Sequence, residues 1–225
     1  MKEIKSTITE IQEAFKSIAI EAHIFGSVAR GDADLYSDLD VWLTFKDEDI
    51  KNVIAKRLDY YSQITEIIHI HEAPQNAPIG GIQSFVLYKI GDKLLRVDYS
   101  LCPQSSSFQT KDSKKLFGAD LPVGELSLNP QKIAVDSNYR IDFVISFVFN
   151  SIKYLARKKQ NPLQDLLREY DNLKDRYGID IKPLLGREES IETLRQIIKN
   201  LDEVSNDKQK MTLSEISKFT FRVLP

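Results

Sequence analysis

A chain of 225 residues with 42% hydrophobic and 28% charged side chains carries enough apolar material for a full core, in one domain or two small ones. A net charge of −2 and a pI near 6.0 argue against a broad basic surface for nucleic acid, and no apolar run approaches the roughly 18 residues that a membrane span requires. Cys102 is the one cysteine, which excludes an internal disulfide, and Met1-Lys2-Glu3-Ile4-Lys5 is not followed by an apolar signal core; both features point to a cytoplasmic protein.

Residues 6–20 place Ile8, Ile11, Phe15, Ile18 and Ala19 at helical spacing, with Ser6 or Thr7 as a cap, and predict a helix. A strand over 22–26 follows, and Gly26-Ser27 turn the chain out of it. From Asp38 to Phe45 the pattern alternates strictly. Leu39, Val41, Leu43 and Phe45 fall on one side of a strand, Asp38, Asp40, Trp42 and Thr44 on the other. Asp47-Glu48-Asp49-Ile50 opens a helix to about residue 60, with acids at its favourable end, and residues 65–71 read as a strand. Pro74, Asn76, Pro78, Gly80 and Gly81 then predict a loop. Residues 84–90 and 93–101 form a hairpin through Gly91-Asp92, where a leading glycine suits a type II′ turn. On its second strand Arg96, Asp98 and Ser100 share one face, and Leu95, Val97, Tyr99 and Leu101 share the other.

Residues 103–115 are rich in Ser, Gln and Lys, and 118–130 are scattered with Pro, Gly and Asn, so both read as connection. From Asp136 onward strand signals stop. Phe143, Val144, Phe147, Val148, Ile152 and Leu155 predict a helix over about 137–158; others run from Asn161-Pro162 to Gly178, over 188–203 and over 212–222, a helical bundle. The expected organisation is a catalytic domain over 1–117, a linker over 118–135 and a helical bundle over 136–225, an α/β (α+β) fold.

The chemistry concentrates between residues 23 and 45. Asp38 and Asp40 lie roughly 6.6–6.8 Å apart along one strand face, a separation at which two carboxylates can converge on a pair of Mg²⁺ ions. Without a cation they would repel each other. Gly26 lets the backbone approach a ligand closely, the amides of Ser27 and Val28 with the Ser27 hydroxyl suit triphosphate oxygens, and Arg30 lies one turn on, where a guanidinium can clamp phosphate. Asp98 is the polar member of a largely apolar strand. A metal accounts for it, and so does pairing with Arg96 or a neighbouring lysine.

Gly26-Ser27, ten intervening residues and Asp38-Leu39-Asp40, followed on a later strand by Asp98 in Leu94-Leu95-Arg96-Val97-Asp98-Tyr99-Ser100-Leu101, resemble the signature of the nucleotidyltransferase superfamily that includes DNA polymerase β. In length and layout the chain is most similar to bacterial aminoglycoside and lincosamide nucleotidyltransferases. The resemblance implies a mixed sheet flanked by helices and followed by a helical domain. It implies that Asp38, Asp40 and Asp98 are catalytic and hold two Mg²⁺ ions, and that Gly26, Ser27, Arg30, Asp38 and Asp40 bind the nucleotide. Asp98 would help deprotonate the acceptor, with Glu66 and Glu72 as candidates in its place. The reaction implied is transfer of a nucleoside monophosphate, AMP from ATP, to a hydroxyl of a small molecule such as an antibiotic, releasing pyrophosphate, by a monomer or a homodimer. Two competing readings are a protein-modifying (AMPylating) or antitoxin-type enzyme acting on a partner protein, and a catalytically silent nucleotide-binding module.

Other constellations carry less. His69 and His71 share a strand face, but zinc needs further ligands and only His23 and the distant Cys102 are available, so structural or substrate-facing roles fit better. Trp42, on the face of Asp38 and Asp40, either borders the substrate or packs in the sheet. Tyr139, Arg140, Asn150, Lys153 and Arg157 form the polar side of the first bundle helix, solvated or turned toward a nucleotide. The chain has neither a Gly-x4-Gly-Lys-Ser/Thr loop nor a Gly-x-Gly-x-x-Gly fingerprint, which disfavours P-loop kinases and dinucleotide oxidoreductases. With every histidine before residue 72, the bundle also lacks an Arg-x4–6-His nuclease pair.

Overall fold

In the computed structural model, which describes residues 2–124 and 136–224, the chain divides into two compact units, 1–133 and 134–225. The first contains α1 (Lys2–Phe15), β1 (Glu21–Phe25), α2 (Gly26–Arg30), β2 (Leu39–Phe45), α3 (Ile50–Ala55), α4 (Arg57–Tyr61), β3 (Glu66–Glu72), β4 (Ile82–Ile90), β5 (Lys93–Pro103) and β6 (Lys114–Gly118). Its six strands form one mixed sheet in the order β3-β4-β5-β2-β1-β6, with β2 and β5 parallel and the other neighbours antiparallel. The α/β class read from the pattern is the one observed.

Strand alternation gives the sheet two different faces. Ala22, Ile24, Leu39, Val41, Leu43, Phe45, Val97, Tyr99 and Leu101 join Ile4, Ile11 and Phe15 of α1, Ile50 and Val53 of α3 and Tyr61 of α4 in a single core. The other face carries the polar set of β2 and β5. α1 starts at Lys2, ahead of the expected residue 6, because Ile4 extends the buried stripe of Thr7, Ile11 and Phe15. The helix expected to about residue 60 is split at Lys56 (φ −101°, ψ 8°) into α3 and α4. The 82–90/93–103 hairpin turns at Gly91, whose φ of +59° is open to glycine at no cost.

The segment expected as connection contributes a strand. β6 pairs with β1 through Glu21↔Gly118, Ala22↔Phe117, His23↔Lys115 and Ile24↔Lys114, with a bulge between Ala22 and His23. As an edge strand it needs only Leu116 and Phe117 against the core, so polar residues dominate it and disguise it. Of the linker expected over 118–135, residues 125–135 lie outside those described.

The second unit contains α5 (Ser137–Ala156), α6 (Gln164–Asp175), α7 (Ile191–Val204) and α8 (Asp207–Val223). Asp136 caps α5 by accepting from the Tyr139 amide at 2.8 Å. Asn206 and Gln209 form a reciprocal capping box that starts α8 at Asp207, ahead of the expected residue 212. On α5, Ile141, Val144, Ile145, Val148, Phe149 and Ile152 are buried, and so is Lys153, whose ammonium lies 5.4 Å from the Phe149 ring centre. The expectation that Lys153 belongs to a solvated face is corrected: its stem packs with the apolar stripe and its charge meets an aromatic ring. Among the described residues no helix is long and apolar enough to cross a membrane.

Candidate active site

The parallel pairing of β2 with β5 sets Asp40 directly opposite Asp98. Phe25 of β1 pairs with Asp40 on the other side, and Phe85 of β4 pairs with Asp98. Phe25, Asp40, Asp98 and Phe85 therefore form one row across four strands, on the face away from the core. Asp38 stands just before β2, after a tight turn in which Asp34 Oδ1 accepts from the Tyr36 amide and the Ser37 hydroxyl.

Gly26 closes this row from the side. Its φ is +67°, and a Cβ placed there would lie 2.2 Å from Asp40 Oδ2, so only glycine lets the turn pass the carboxylate. Ser27 is half-buried in the first turn of α2. Arg30 lies at the far end of α2, well exposed, and pairs with Asp32 at 3.3 Å. The structure does not bring it to the carboxylate row.

Arg96 is the resident cation of the site. Its Nε donates to Asp98 Oδ1 at 2.5 Å and its Nη2 to Asp98 Oδ2 at 2.8 Å, a fork on a nearly buried carboxylate. The guanidinium also lies 4.0 Å over the Phe85 ring. Burial favours its neutral form, but the charges of Asp98, Asp38 and Asp40 outweigh that and push its pKa further up. All three carboxylates picked from the sequence thus act on one guanidinium. Both explanations offered for Asp98, pairing with Arg96 and a place beside Asp40, hold together.

A cavity of about 320 Å³ opens over this row, lined by His23, Phe25, Asp40, Trp42, Asn76, Gln83, Phe85, Arg96, Asp98, Ser100, Phe108 and Thr110. Trp42 is a wall of it, almost fully buried, with its ring stacked on His23 (centroids 5.9 Å, 16°) and 4.9 Å from Phe108. Ser100 donates to Gln83 Oε1 at 2.5 Å on the floor. Behind His23, the fully buried Glu21 carboxylate accepts from Thr44 Oγ1 at 3.1 Å, from Gln109 Nε2 at 3.1 Å, and meets His23 Nδ1 at 2.9 Å.

The alternative bases are placed elsewhere. Glu72 pairs across β3–β4 with Ser84, on the core face, where it accepts from Arg57 Nε at 2.8 Å and from the Ser84 hydroxyl at 2.8 Å. Glu66 is exposed at the start of β3, opposite Lys89. His69 and His71 are buried on the cavity face of β3, and His71 lies 6.2 Å from Phe85. Tyr139, Arg140, Asn150, Lys153 and Arg157 belong to the second unit. Sequence reasoning passed over Glu21, Gln109, Phe108 and Thr110. The last three sit in the stretch read as connection, and no local signal ties residue 109 to residue 21.

The donors present suit a hard divalent ion. Asp40 and Asp98 face each other in register, Asp38 precedes them, and the space against Asp40 is kept open by the missing side chain of Gly26. The described residues hold no group of three or more His, Cys, Asp or Glu side chains already closed to metal-holding distances. The carboxylates instead share Arg96.

No curated protein matches the chain. Among solved structures, the Elizabethkingia meningoseptica CdnE cyclic dinucleotide synthase with GTP and Apcpp is similar at 12% identity and a TM-score of 0.32, over 98% of this chain and 92% of that one. Residues 4–77, about a third of the chain, match the nucleotidyltransferase domain family, and they contain Gly26-Ser27, Asp38 and Asp40. The first unit thus carries a segment that matches the nucleotidyltransferase domain family.

Proposed function

We propose that the chain is a cytoplasmic adenylyltransferase that moves AMP from ATP to a hydroxyl of a small acceptor and releases pyrophosphate, acting as a monomer or a homodimer. The observation that carries this reading is the register of Asp40 against Asp98 beside the turn at Gly26. Asp38, Asp40 and Asp98 are the residues that would hold two Mg²⁺ ions. When bound, those ions supply neutralisation of the triphosphate charge.

The protein's own groups do the positioning. Gly26 and Ser27 seat the outer phosphates, with backbone close enough to Asp40 that phosphate and carboxylate meet at one point. Arg96 fixes the Asp98 carboxylate through both oxygens, which holds its orientation toward the acceptor. Phe25, Trp42, Phe85 and Phe108 exclude water around the acceptor, and Asp98 draws the proton of its hydroxyl as the α-phosphorus is attacked. Aminoglycosides and lincosamides are the acceptors to test first. Pyrophosphate release with ATP, GTP, CTP and UTP against such a panel, with Asp40→Asn as control, checks the reading. Release that depends on acceptor and on Asp40 is the expected result; equal release by Asp40→Asn would count against it.

A further inference from the structure

Glu21 and His23 take no part in the reaction just described, yet they are among the most deeply buried polar groups of the first unit, at 0% and 1% exposure. Such a pair is often a satisfied core histidine. Three observations set this one apart. The His23 ring lines the cavity beside Asp40 and Trp42. Its ring is oriented by Glu21: the carboxylate, which also accepts from Thr44 and Gln109, is an acceptor for Nδ1–H, and in that tautomer Nε2 is left as an acceptor. Nε2 makes no hydrogen bond among the described residues. In the same wall the Trp42 indole Nε1 is a buried donor with no partner. The wall therefore carries an acceptor and a donor without partners among the described residues, in a cavity framed by the rings of Phe25, Trp42, Phe85 and Phe108.

We propose that His23, held by Glu21, is a specificity-determining residue of the acceptor pocket, and that the pocket takes a compact, flat-ringed acceptor carrying a hydroxyl or N–H group that donates to His23 Nε2. The proposal rests on the transferase reading and narrows its acceptor. The cavity, about 320 Å³, is at the lower end of the range for small-molecule sites, about 300–1,000 Å³. Aromatic walls recognise a planar apolar body by stacking. A single ring with one polar group satisfies both requirements. His23 touches the acceptor and orients it; Glu21 acts only through His23, as a positioning residue.

The chain has one tryptophan, so its indole N–H gives a single nitrogen–proton cross-peak that reports on this wall alone. Phenol, and toluene as its hydroxyl-free isostere, are titrated into the full chain, wild type and His23→Phe, with and without Mg²⁺ and a non-hydrolysable ATP analogue. Phenol is expected to shift the Trp42 cross-peak saturably and to bind about tenfold more tightly than toluene, the difference one hydrogen bond makes. His23→Phe is expected to erase that preference while leaving toluene and nucleotide affinity unchanged. Equal binding of the two probes by the wild type, or an unshifted cross-peak with both, would overturn the proposal. This comparison needs no variant and stands even where His23→Phe does not fold. Displacement of phenol by the ATP analogue would also overturn it, assigning the cavity to the nucleotide while leaving the transferase reading intact. Conversely, phenol binding through His23 in a chain that binds no Mg-ATP would count against the transferase reading and leave the pocket standing.

Discussion

The two faces of the six-stranded sheet are built from the same strands and obey opposite rules. Toward α1, α3 and α4, Leu39, Val41, Leu43 and Phe45 of β2 meet Val97, Tyr99 and Leu101 of β5, all at 0% exposure. Its innermost polar groups are neutral hydroxyls, and the charged pair of Glu72 with Arg57 is only half-buried, on the edge strand β3. Tyr88 donates to the Tyr61 carbonyl at 3.1 Å and shares a 3.1 Å hydrogen bond with Tyr99, and burial pushes the pKa of Tyr61, Tyr88 and Tyr99 up. One residue along each strand, the other face presents Asp40, Asp98, Arg96 and His23 around an open cavity. Charge is tolerated there because Arg96 pairs with Asp98 and because the carboxylate row borders an open cavity. One face holds the fold together, and the alternation hands the other to chemistry.

The comparison breaks most visibly on the core face. Leu43→Ala should cost ~2–5 kcal/mol of stability in urea unfolding, through lost burial and the cavity left behind. Nucleotide affinity per folded molecule should stay the same. The opposite signature is expected for Asp98→Asn: single-turnover transfer slowed by about 10²-fold or more, as for loss of a positioned base, with most nucleotide affinity kept. It should also lower stability in EDTA by ~1–3 kcal/mol, because Arg96 loses its charged partner. A stable Asp98→Asn with normal turnover would remove Asp98 from both roles.

Gly26→Ala tests where the two faces meet. Its φ of +67° and the 2.2 Å approach of an added Cβ to Asp40 Oδ2 should cost ~1–3 kcal/mol. Transfer should fall further than stability, since the displaced group is Asp40. The smallest effect concerns pH. A tyrosine pKa raised in the fold means that the folded state keeps its proton after the unfolded chain has lost it. The stabilising contribution is complete below the unfolded value near ~10 and is lost as pH rises above it. Tyr88→Phe should be less stable than wild type by ~1 kcal/mol at neutral pH. The gap should narrow at alkaline pH, read as converging urea midpoints; a constant gap would mean Tyr88 ionises freely in the fold.

Both faces were legible where the signal is local. The strict alternation from Asp38 to Phe45 assigns each residue to its side without any tertiary knowledge, and the Gly91-Asp92 turn does the same for the hairpin that delivers Asp98. The Asn206/Gln209 capping box was equally readable, and it marks the start of α8 more faithfully than apolar spacing. What could not be read is what long-range pairing creates. β6 is polar because an edge strand buries little, so its composition imitates a loop. Gln109 reaches Glu21 across 88 residues, and the carboxylate it meets also contacts His23 of the cavity wall. Asp98 and Arg96 were placed on one face, but whether the pair competes with a role beside Asp40 or accompanies it depends on the parallel register of β2 with β5.

The central claim is that the carboxylate face binds a nucleoside triphosphate through divalent ions. Calorimetric titration of ATP into the wild type and Asp40→Asn, each in Mg²⁺ and in EDTA, tests it without knowledge of the acceptor. Binding by the wild type is expected in Mg²⁺ alone, lost in EDTA and lost in Asp40→Asn. Equal affinity in Mg²⁺ and EDTA, or an undiminished affinity in Asp40→Asn, would contradict it.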